Sequence, residues 1–175
     1  MSAQTRIIET ARLVLTPLQM ADAATMAGVL GDEALYEFTG GEPATVEQLE
    51  DRYRAQLAGP ARSSEVWHNW IVRIAESRVA VGFVQATVTG DDADDADVAW
   101  VIGVAWQHQG IACEAAVAMC RWLRDNGVSR ITAHIRPDHS ASAAVADACG
   151  LRPTNVIDDD GEVVWASGAG FSAGA

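Results

Sequence analysis

The sequence predicts a mixed α/β protein whose central sheet carries helices on both faces. Residues 66–75 and 79–89 are rich in β-branched and aromatic side chains and flank a short break, which is typical of an antiparallel hairpin. Residues 98–105 are apolar at successive positions, which predicts a central strand covered on both faces. A helix that ends at Gly127 and a strand over 131–135 come next, so we expect a parallel βαβ crossover here.

The N-terminal part adds one strand and two helices to this prediction. Residues 12–16 read as a short strand that Pro17 ends, and small apolar residues at helical spacing predict a helix over 21–30. Thr45 followed three positions later by Gln48 forms a capping-box signal. A second helix is therefore expected to begin there.

The C-terminal part is expected to contain a further helix and a last strand over 163–165. Asp138 or Ser140 would cap that helix, and Gly150 would end it. Its inward-facing residues are predicted to be Ala141, Ala144, Val145 and Ala148. The five aspartates between 91 and 97 lack the spacing of a calcium loop, so we expect a solvated turn.

Charge and composition exclude several classes of function. The 175 residues include 12 Lys+Arg and 24 Asp+Glu, a formal net charge of −12, and there is no lysine among the basic residues. A chain without lysine has no Walker-type phosphate loop and forms no Schiff base. The acidic balance argues against nucleic acid as a partner, because such binding depends largely on Lys and Arg at the phosphates.

The chain is expected to fold as one domain over residues 1–166, with a flexible tail over 167–175. No secretory signal is visible, and no apolar run reaches the roughly 20 residues of a membrane span, so we expect a cytoplasmic protein without a membrane partner. Cys113, Cys120 and Cys149 are expected to be reduced, and the scattered histidines predict no metal site.

The join between the predicted strand over 98–105 and the following helix is the candidate site. Gly110 lets the main chain approach a ligand closely, and Ala112 keeps the next turn small. Amide N–H groups at a helix start bind anions without a cationic side chain. On these residues alone, the join is either a phosphate site or an ordinary strand–helix connection, since many such joins carry a glycine.

Four motifs occur in an order that resembles one enzyme superfamily. They are Thr10-Ala-Arg-Leu-Val-Leu-Thr-Pro17, Trp106-Gln-His-Gln-Gly-Ile-Ala-Cys-Glu-Ala115, Pro137-Asp-His-Ser-Ala-Ser142 and Ala148-Cys-Gly-Leu151. The second contains Gln107-x-x-Gly110-x-Ala112 and resembles the Gln/Arg-x-x-Gly-x-Gly/Ala signature of the GNAT acetyltransferases. All four resemble segments of its ribosomal-protein N-acetyltransferase-like branch, namely TERLxLRP, QGKGYATEA, PxNxAS and KLGF. The sequence is therefore identified as a member of this superfamily.

This resemblance implies the GNAT fold, with a splayed parallel strand pair, and an acetyl-CoA-dependent N-acetyltransferase. The acceptor would be a primary amine of a small molecule or a peptide N-terminus, and a homodimer is plausible for the family. Main-chain groups would hold the pantetheine arm and the pyrophosphate. The implied cofactor-binding residues are Ile102, Gly103, Val104, Gln107, Gln109, Gly110, Ile111, Ala112, Cys113, His139 and Ser142.

For catalysis, the resemblance implies direct attack of a neutral amine on the thioester. Ser142 would donate a hydrogen bond to the departing thiolate, and strand amides near Val104 would stabilise the oxyanion. Many relatives place a tyrosine where this chain has Ala146. The base stays open between Glu37, Asp97 and a water chain.

Three further departures from the family pattern stand out. His108 replaces a glycine, Val104 replaces a proline and Thr16 replaces an arginine. A non-catalytic acyl-CoA-binding or regulatory domain is the alternative function, and a structural protein on the same fold is a third.

Other chemically notable residues are expected to serve structure. Glu114 suits the dipole of its helix. Trp67, Trp70 and Trp100 are assigned to the sheet core, and His68 to a structural or exposed position.

Overall fold

The computed structural model describes residues 4–90 and 94–167. Residues 168–175 of the predicted tail and residues 91–93 of the aspartate-rich turn lie outside them. The strands are β1 (Ile8–Glu9), β2 (Leu13–Pro17), β3 (Val66–Ile74), β4 (Ala80–Thr89), β5 (Asp95–Ile102), β6 (Arg130–Ile135), β7 (Arg152–Ile157) and β8 (Val163–Ala166). The α-helices are α1 (Asp22–Val29), α2 (Val46–Ala58), α3 (Ile111–Asp125) and α4 (Ser140–Ala148). No helix in the described parts of the chain is both long and apolar enough to cross a bilayer.

The strands form one sheet in the order β1-β2-β3-β4-β5-β6-β8-β7. Neighbouring strands are antiparallel except β5 and β6, which are parallel and connected through α3. This confirms the mixed α/β class and the predicted crossover. It also confirms the hairpin, because β3 and β4 pair antiparallel along their length.

Two apolar cores cover the two faces of the sheet. Met119 and Leu123 of α3 belong to the larger core, whereas Met26 of α1 and Tyr53 of α2 belong to the smaller one. Side chains alternate between the faces along a strand, so neighbouring β3 residues enter different cores. The predicted capping box is confirmed, since Thr45 and Gln48 each bind the other's backbone.

The prediction for β5 was wrong in its bounds and in its burial. The strand runs from Asp95 to Ile102 and is followed by a short 3₁₀ turn over Val104–Trp106. Ala99 is exposed and Trp100 is half-buried, rather than both being covered. The reason is that β6 diverges from β5 and leaves an open space beside it.

The C-terminal prediction needs two corrections. Strand β7 was missed because Arg-Pro-Thr-Asn at its start carries no apolar alternation, and a strand with proline is tolerated at the sheet edge where β7 lies. Neither Asp138 nor Ser140 caps α4, since His139 occupies that position and Asp138 binds Arg136 instead. The inner face of α4 holds Val145 and Ala146, while the other predicted inward alanines are exposed.

Candidate functional site

A fork between β5 and β6 opens the sheet. The two strands pair only at Asp95–Arg130, Ala96–Ile131 and Asp97–Thr132, although β5 continues to pair with β4 as far as Ile102. At that far end Gly82 of β4 lies so close to β5 that an added Cβ would be 2.2 Å from the carbonyl oxygen of Val101. Beyond Asp97, the facing edges of β5 and β6 do not pair with each other, so main-chain groups on them can bind another extended chain.

A cavity of about 490 Å³ occupies the fork, within the usual size range of small-ligand sites. Strand β5, the N-terminus of α3, the N-terminus of α4 and the 3₁₀ segment near Phe38 surround it. Most of its lining is apolar, with a few polar groups from each side. This combination fits a long ligand with a polar end.

The N-terminus of α3 presents free amide groups to the cavity. Gly110 precedes the helix in the left-handed conformation, with φ at 76°. The first intrahelical bond runs from the N–H of Glu114 to the oxygen of Gly110, and for Ile111, Ala112 and Cys113 the described residues provide no acceptor. Three unpaired N–H groups and the positive end of the helix dipole make this an anion site.

The turn before α3 is fastened from two sides. The side-chain amide of Gln107 donates to the oxygen of Ile102 at 3.0 Å, and the guanidinium of Arg12 donates to the oxygen of Gln109 at 3.0 Å. Arg12 also pairs with Glu114 at 2.7 Å, and the same carboxylate accepts from Thr10 at 2.6 Å. Glu114 thus ties the N-terminal strand to the α3 turn, besides complementing the helix dipole.

These contacts explain the protonation of Glu114. Partial burial by itself raises the pKa of that carboxyl, but the hydrogen bonds from Thr10 and Arg12 outweigh it and hold the pKa below its usual range. The carboxylate therefore stays charged at neutral pH and maintains its ion pair with Arg12. Its role in the structure is to support the loop.

His108 adopts an unusual backbone conformation in the same turn. Its φ is 59°, in the left-handed region that glycine occupies most readily. This accounts for the glycine that the family pattern carries at this position. The residue lines the cavity mouth, where its ring adds bulk next to Gly110.

Ser142 lines the cavity from the first turn of α4, and its hydroxyl is hydrogen-bonded to Trp100. The indole N–H of Trp100 donates to Oγ of Ser142 at 3.2 Å. Since Oγ accepts this bond, its own proton remains available to a ligand. Trp100 is half-buried and lines the cavity, so its assignment to the sheet core alone was incomplete.

His139 lines the same cavity from the N-cap position of α4 and stacks on Phe38. Their ring centroids are 4.1 Å apart and the rings are 14° from parallel. Burial lowers the pKa of His139 below the usual value, although the nearby carboxylates of Asp138 and Glu37 oppose that shift. A neutral imidazole here can both donate and accept a hydrogen bond.

Most of the predicted site residues meet at this cavity. The lining contains Glu37, Ile102, Val104, Gln107, Gly110, Ile111, Ala112, Cys113, His139 and Ser142. Two members of the predicted set point their groups elsewhere, because the N–H of Gly103 donates to Val81 and Gln109 is held by Arg12 and Ala105. The carboxylate of Asp97 faces Thr132 and His134 rather than the cavity.

The cavity also has a polar group that no sequence pattern was taken to indicate. His134 of β6 lines it, and its Nδ1 is 2.6 Å from Oδ2 of Asp158, while Nε2 is 3.6 Å from Oδ1 of Asp97. Glu162 completes this group, which we call the His134 cluster: His134, Asp97, Asp158 and Glu162. The alternation of apolar Ile131, Ala133 and Ile135 with polar residues could have indicated that His134 faces away from the core.

The fork, the free amides and the cavity together form a site that suits a long ligand with an anionic end. The GNAT acetyltransferase domain family matches residues 12–152, so the chain belongs to this family. Acetyl-CoA is the co-substrate of its members, and their reaction requires no metal ion.

Solved structures agree with this fold. RimL, a ribosomal L7/L12 alpha-N-protein acetyltransferase solved with coenzyme A, matches with a TM-score of 0.78 and 16% identity over 92% of this chain and 97% of its own. A GNAT-family acetyltransferase from Bacillus anthracis gives 0.76 and 17% over the same shares of the two chains. The aminoglycoside acetyltransferase AAC(6′)-Ib with coenzyme A gives 0.73 and 16% over 90% and 95%. No curated protein sequence matches this chain significantly.

Proposed function

We propose that this protein transfers an acetyl group from acetyl-CoA to a primary amine of a small molecule or a peptide N-terminus. The observation that carries the proposal is the open β5–β6 fork with three free amide groups at its mouth. Such a site would hold the pantetheine arm and the pyrophosphate of the cofactor through main-chain groups. This suits a chain without lysine.

Different residues at the cavity would bind different parts of the cofactor. The main chain of Ile102 and Val104 would pair with the pantetheine arm, and the N–H groups of Ile111, Ala112 and Cys113 would hold the pyrophosphate. Gln107 keeps the turn in place, and Gln109 with Gly103 support it from outside the cavity. His139 would contact the cofactor from α4.

The chemistry is direct attack of a neutral amine on the thioester carbonyl. The C–N bond forms as the carbonyl carbon becomes tetrahedral, and the N–H of Val104, for which the described residues offer no acceptor, would stabilise the oxyanion. The C–S bond then breaks, and the hydroxyl of Ser142 would donate to the sulfur. Removal of the ammonium proton needs a base, for which Glu37 at the rim, Asp97 within the His134 cluster and a water chain are the candidates that the family resemblance left open.

The negative net charge of the protein would attract a positively charged acceptor amine. The formal net charge of −12 favours the approach of a cationic amine over that of an anionic substrate. We further propose a cytoplasmic enzyme that needs neither nucleic acid nor a membrane, with one domain over residues 1–166 and homodimers in solution.

A binding-only domain is the second candidate, and one observation favours it. Ala146 stands where the family resemblance implies a tyrosine in many relatives, and its side chain is completely buried. This position therefore supplies no acid to the departing thiolate. A regulatory acyl-CoA-binding domain would keep the α3 site and lack turnover.

Two measurements test the proposal. Calorimetry with coenzyme A measures binding, and thiol release from acetyl-CoA measures turnover with spermidine, kanamycin and an Ala-Gly-Gly peptide. We expect binding in the micromolar range and thiol release with at least one amine. Gly110→Val should weaken binding at least tenfold, because a β-branched residue is strained at positive φ and distorts the amide site. Binding without turnover would favour the second candidate, and absence of both would refute the two.

Thiol labelling gives an independent measurement of the same site. Cys113 is half-buried in the cavity, whereas Cys120 and Cys149 are buried in the core. An alkylating reagent should therefore modify Cys113 first, and saturating coenzyme A should slow that reaction at least fivefold. Cys113→Ser is the control, since it should remove the fast-reacting thiol.

A further inference from the structure

The His134 cluster borders the cavity of the fork through two of its four residues. His134 and Glu162 line the same cavity as Ser142, and Asp97 and Asp158 stand on either side of the imidazole. The side chain of His134 is 36% exposed, so its ring contacts both the cavity and solvent. This histidine is not among the site residues that the family resemblance implies.

We propose that His134 is the general base that deprotonates the acceptor ammonium, with Asp158 as the residue that orients it. This inference rests on the proposed function. Oδ2 of Asp158 lies 2.6 Å from Nδ1, so in the proposed tautomer it accepts the Nδ1 proton and Nε2, 3.6 Å from Oδ1 of Asp97, carries the lone pair. A base held by a carboxylate on its other nitrogen is the arrangement that fixes an imidazole in one tautomer.

Asp158 is itself well held by its own turn between β7 and β8. Its Oδ1 accepts from the N–H groups of Asp160 and Glu162 at 3.0 and 2.9 Å, so its Oδ2 has a fixed direction toward His134. These bonds, first the backbone of Glu162 and then His134, lower the pKa of Asp158. A carboxylate that is charged at neutral pH therefore faces the imidazole.

The surrounding charges make His134 more basic than a free imidazole. Partial burial alone would lower the pKa of His134, but the Asp158 hydrogen bond and the charges of Asp97, Asp158 and Glu162 raise it above the usual value. Arg136, at the end of β6, pairs with Asp138 and also faces Glu162. Desolvation and then Asp158 raise the pKa of Glu162.

Asp97 is a weaker candidate for the base itself. Its carboxylate is 54% exposed, lies outside the cavity lining and is already held by Thr132 at 3.2 Å. Desolvation raises its pKa, while His134 and Thr132 oppose that shift. Its position beside Nε2 makes it a group that stabilises the imidazolium.

The proton balance of the reaction is complete with these groups. One N–H bond of the ammonium breaks and its proton moves to Nε2 of His134, directly or through one water. The freed lone pair forms the C–N bond and the C–S bond breaks. A second amine proton goes to the thiolate by way of Ser142, and the imidazolium releases its proton to solvent.

The test is the pH dependence of acetyl transfer in His134→Gln relative to wild type. The amine is whichever of spermidine, kanamycin and Ala-Gly-Gly turns over fastest. At pH 7 the ratio of kcat/KM should be about 0.01, since a general base contributes roughly 10²-fold or more. Above the pKa of the amine the ratio should rise toward 1, because the acceptor is then already neutral. Coenzyme A binding should be unchanged.

Two further variants separate a base from a structural histidine. Asp158→Asn should move the acidic limb of the wild-type profile to lower pH, because it removes a carboxylate that favours the imidazolium. Asp159→Asn removes one charge from the same turn outside the cluster and should leave the profile as in wild type.

The outcomes are distinguishable. A His134→Gln ratio that stays constant with pH would refute the assignment while leaving the proposed function standing. If wild type turned over none of the amines, the proposed function would be wrong and the base assignment with it. A ratio that rises with pH, together with a shifted limb in Asp158→Asn, would establish the assignment.

Discussion

Ser142 and Trp100 form the smallest functional unit of this site. The sequence motif alone placed Ser142 near the cofactor, but the hydroxyl of a serine rotates freely unless a neighbour fixes it. The indole of Trp100 supplies that neighbour across the fork, from β5 to α4. A long-range pair of this kind has no local sequence signal, so Trp100 could not be distinguished from a core residue in advance.

Ser142→Ala should lower kcat about tenfold. The effect is moderate because a thiolate is a good leaving group and departs without full protonation. Trp100→Phe keeps the ring but loses the N–H, so kcat should fall about threefold while coenzyme A binding holds. Steady-state kinetics with the best amine measures both. Ser140→Ala, at the exposed start of the same helix, is the control and should match wild type. An unchanged kcat in Ser142→Ala would remove the serine from the mechanism.

At the scale of elements, the sequence patterns predicted most of the helices and strands and the crossover between the parallel strands. The amphipathic helix α3, the hairpin β3–β4 and the crossover follow from periodicity and glycine positions. The divergence of β5 from β6 does not follow from these patterns, because the residues of β5 stay apolar across it, and only the family resemblance implied a splayed strand pair. Only the neighbouring strand determines whether such residues meet a core or an open cavity, and this is why β5 was wrongly expected to be covered on both faces.

The support of the α3 turn shows a similar limit. The segment around Arg12 resembles a family motif, but only the contacts of Arg12 with Gln109 and Glu114 show what this residue does in the structure. These residues are about a hundred positions apart in the chain. A local pattern can therefore mark such a residue without giving its partner.

Arg12→Ala should weaken coenzyme A binding about fivefold with little change in kcat. The variant loses the bond to Gln109 and the pair with Glu114, so the amide site becomes less ordered while the reacting groups are untouched. Stability should fall by about 1 kcal/mol, which for this length corresponds to roughly 2–4 °C in Tm. Calorimetry and thermal melts check the two effects. Arg54→Ala breaks an exposed pair on α2 and serves as the control. Equal binding in Arg12→Ala and wild type would contradict the role of this network.

At the scale of the whole molecule, two histidines link folding to pH with opposite signs. His68 is buried, with Nδ1 2.8 Å from Oγ1 of Thr5, and its ring contacts Trp70 and Trp122. Burial lowers its pKa, whereas the pKa of His134 is raised. The structural assignment of His68 is thus confirmed, and its burial makes it a reporter of global unfolding.

The sign for each histidine follows from where the proton binds more strongly. Unfolded His68 takes up a proton near pH 6.5 and the folded residue does not, so its contribution is complete above that pH and is lost as the pH falls. His134 binds its proton more tightly in the folded state. Its contribution is present below pH 6.5 and is lost as the pH rises through its folded pKa.

Urea unfolding between pH 5.5 and 7.5 separates these two contributions. Wild type should lose free energy of unfolding on acidification through His68, at a rate of up to about 1.4 kcal/mol for each pH unit below 6.5. His68→Gln should flatten this dependence while lowering stability at every pH, because it disturbs the packing against Trp70 and Trp122. His134→Gln should steepen the loss, since it removes the opposing contribution, by a smaller amount because that side chain is partly exposed. If all three proteins showed the same slope, neither histidine would couple protonation to folding, and the buried, neutral state of His68 would have to be abandoned.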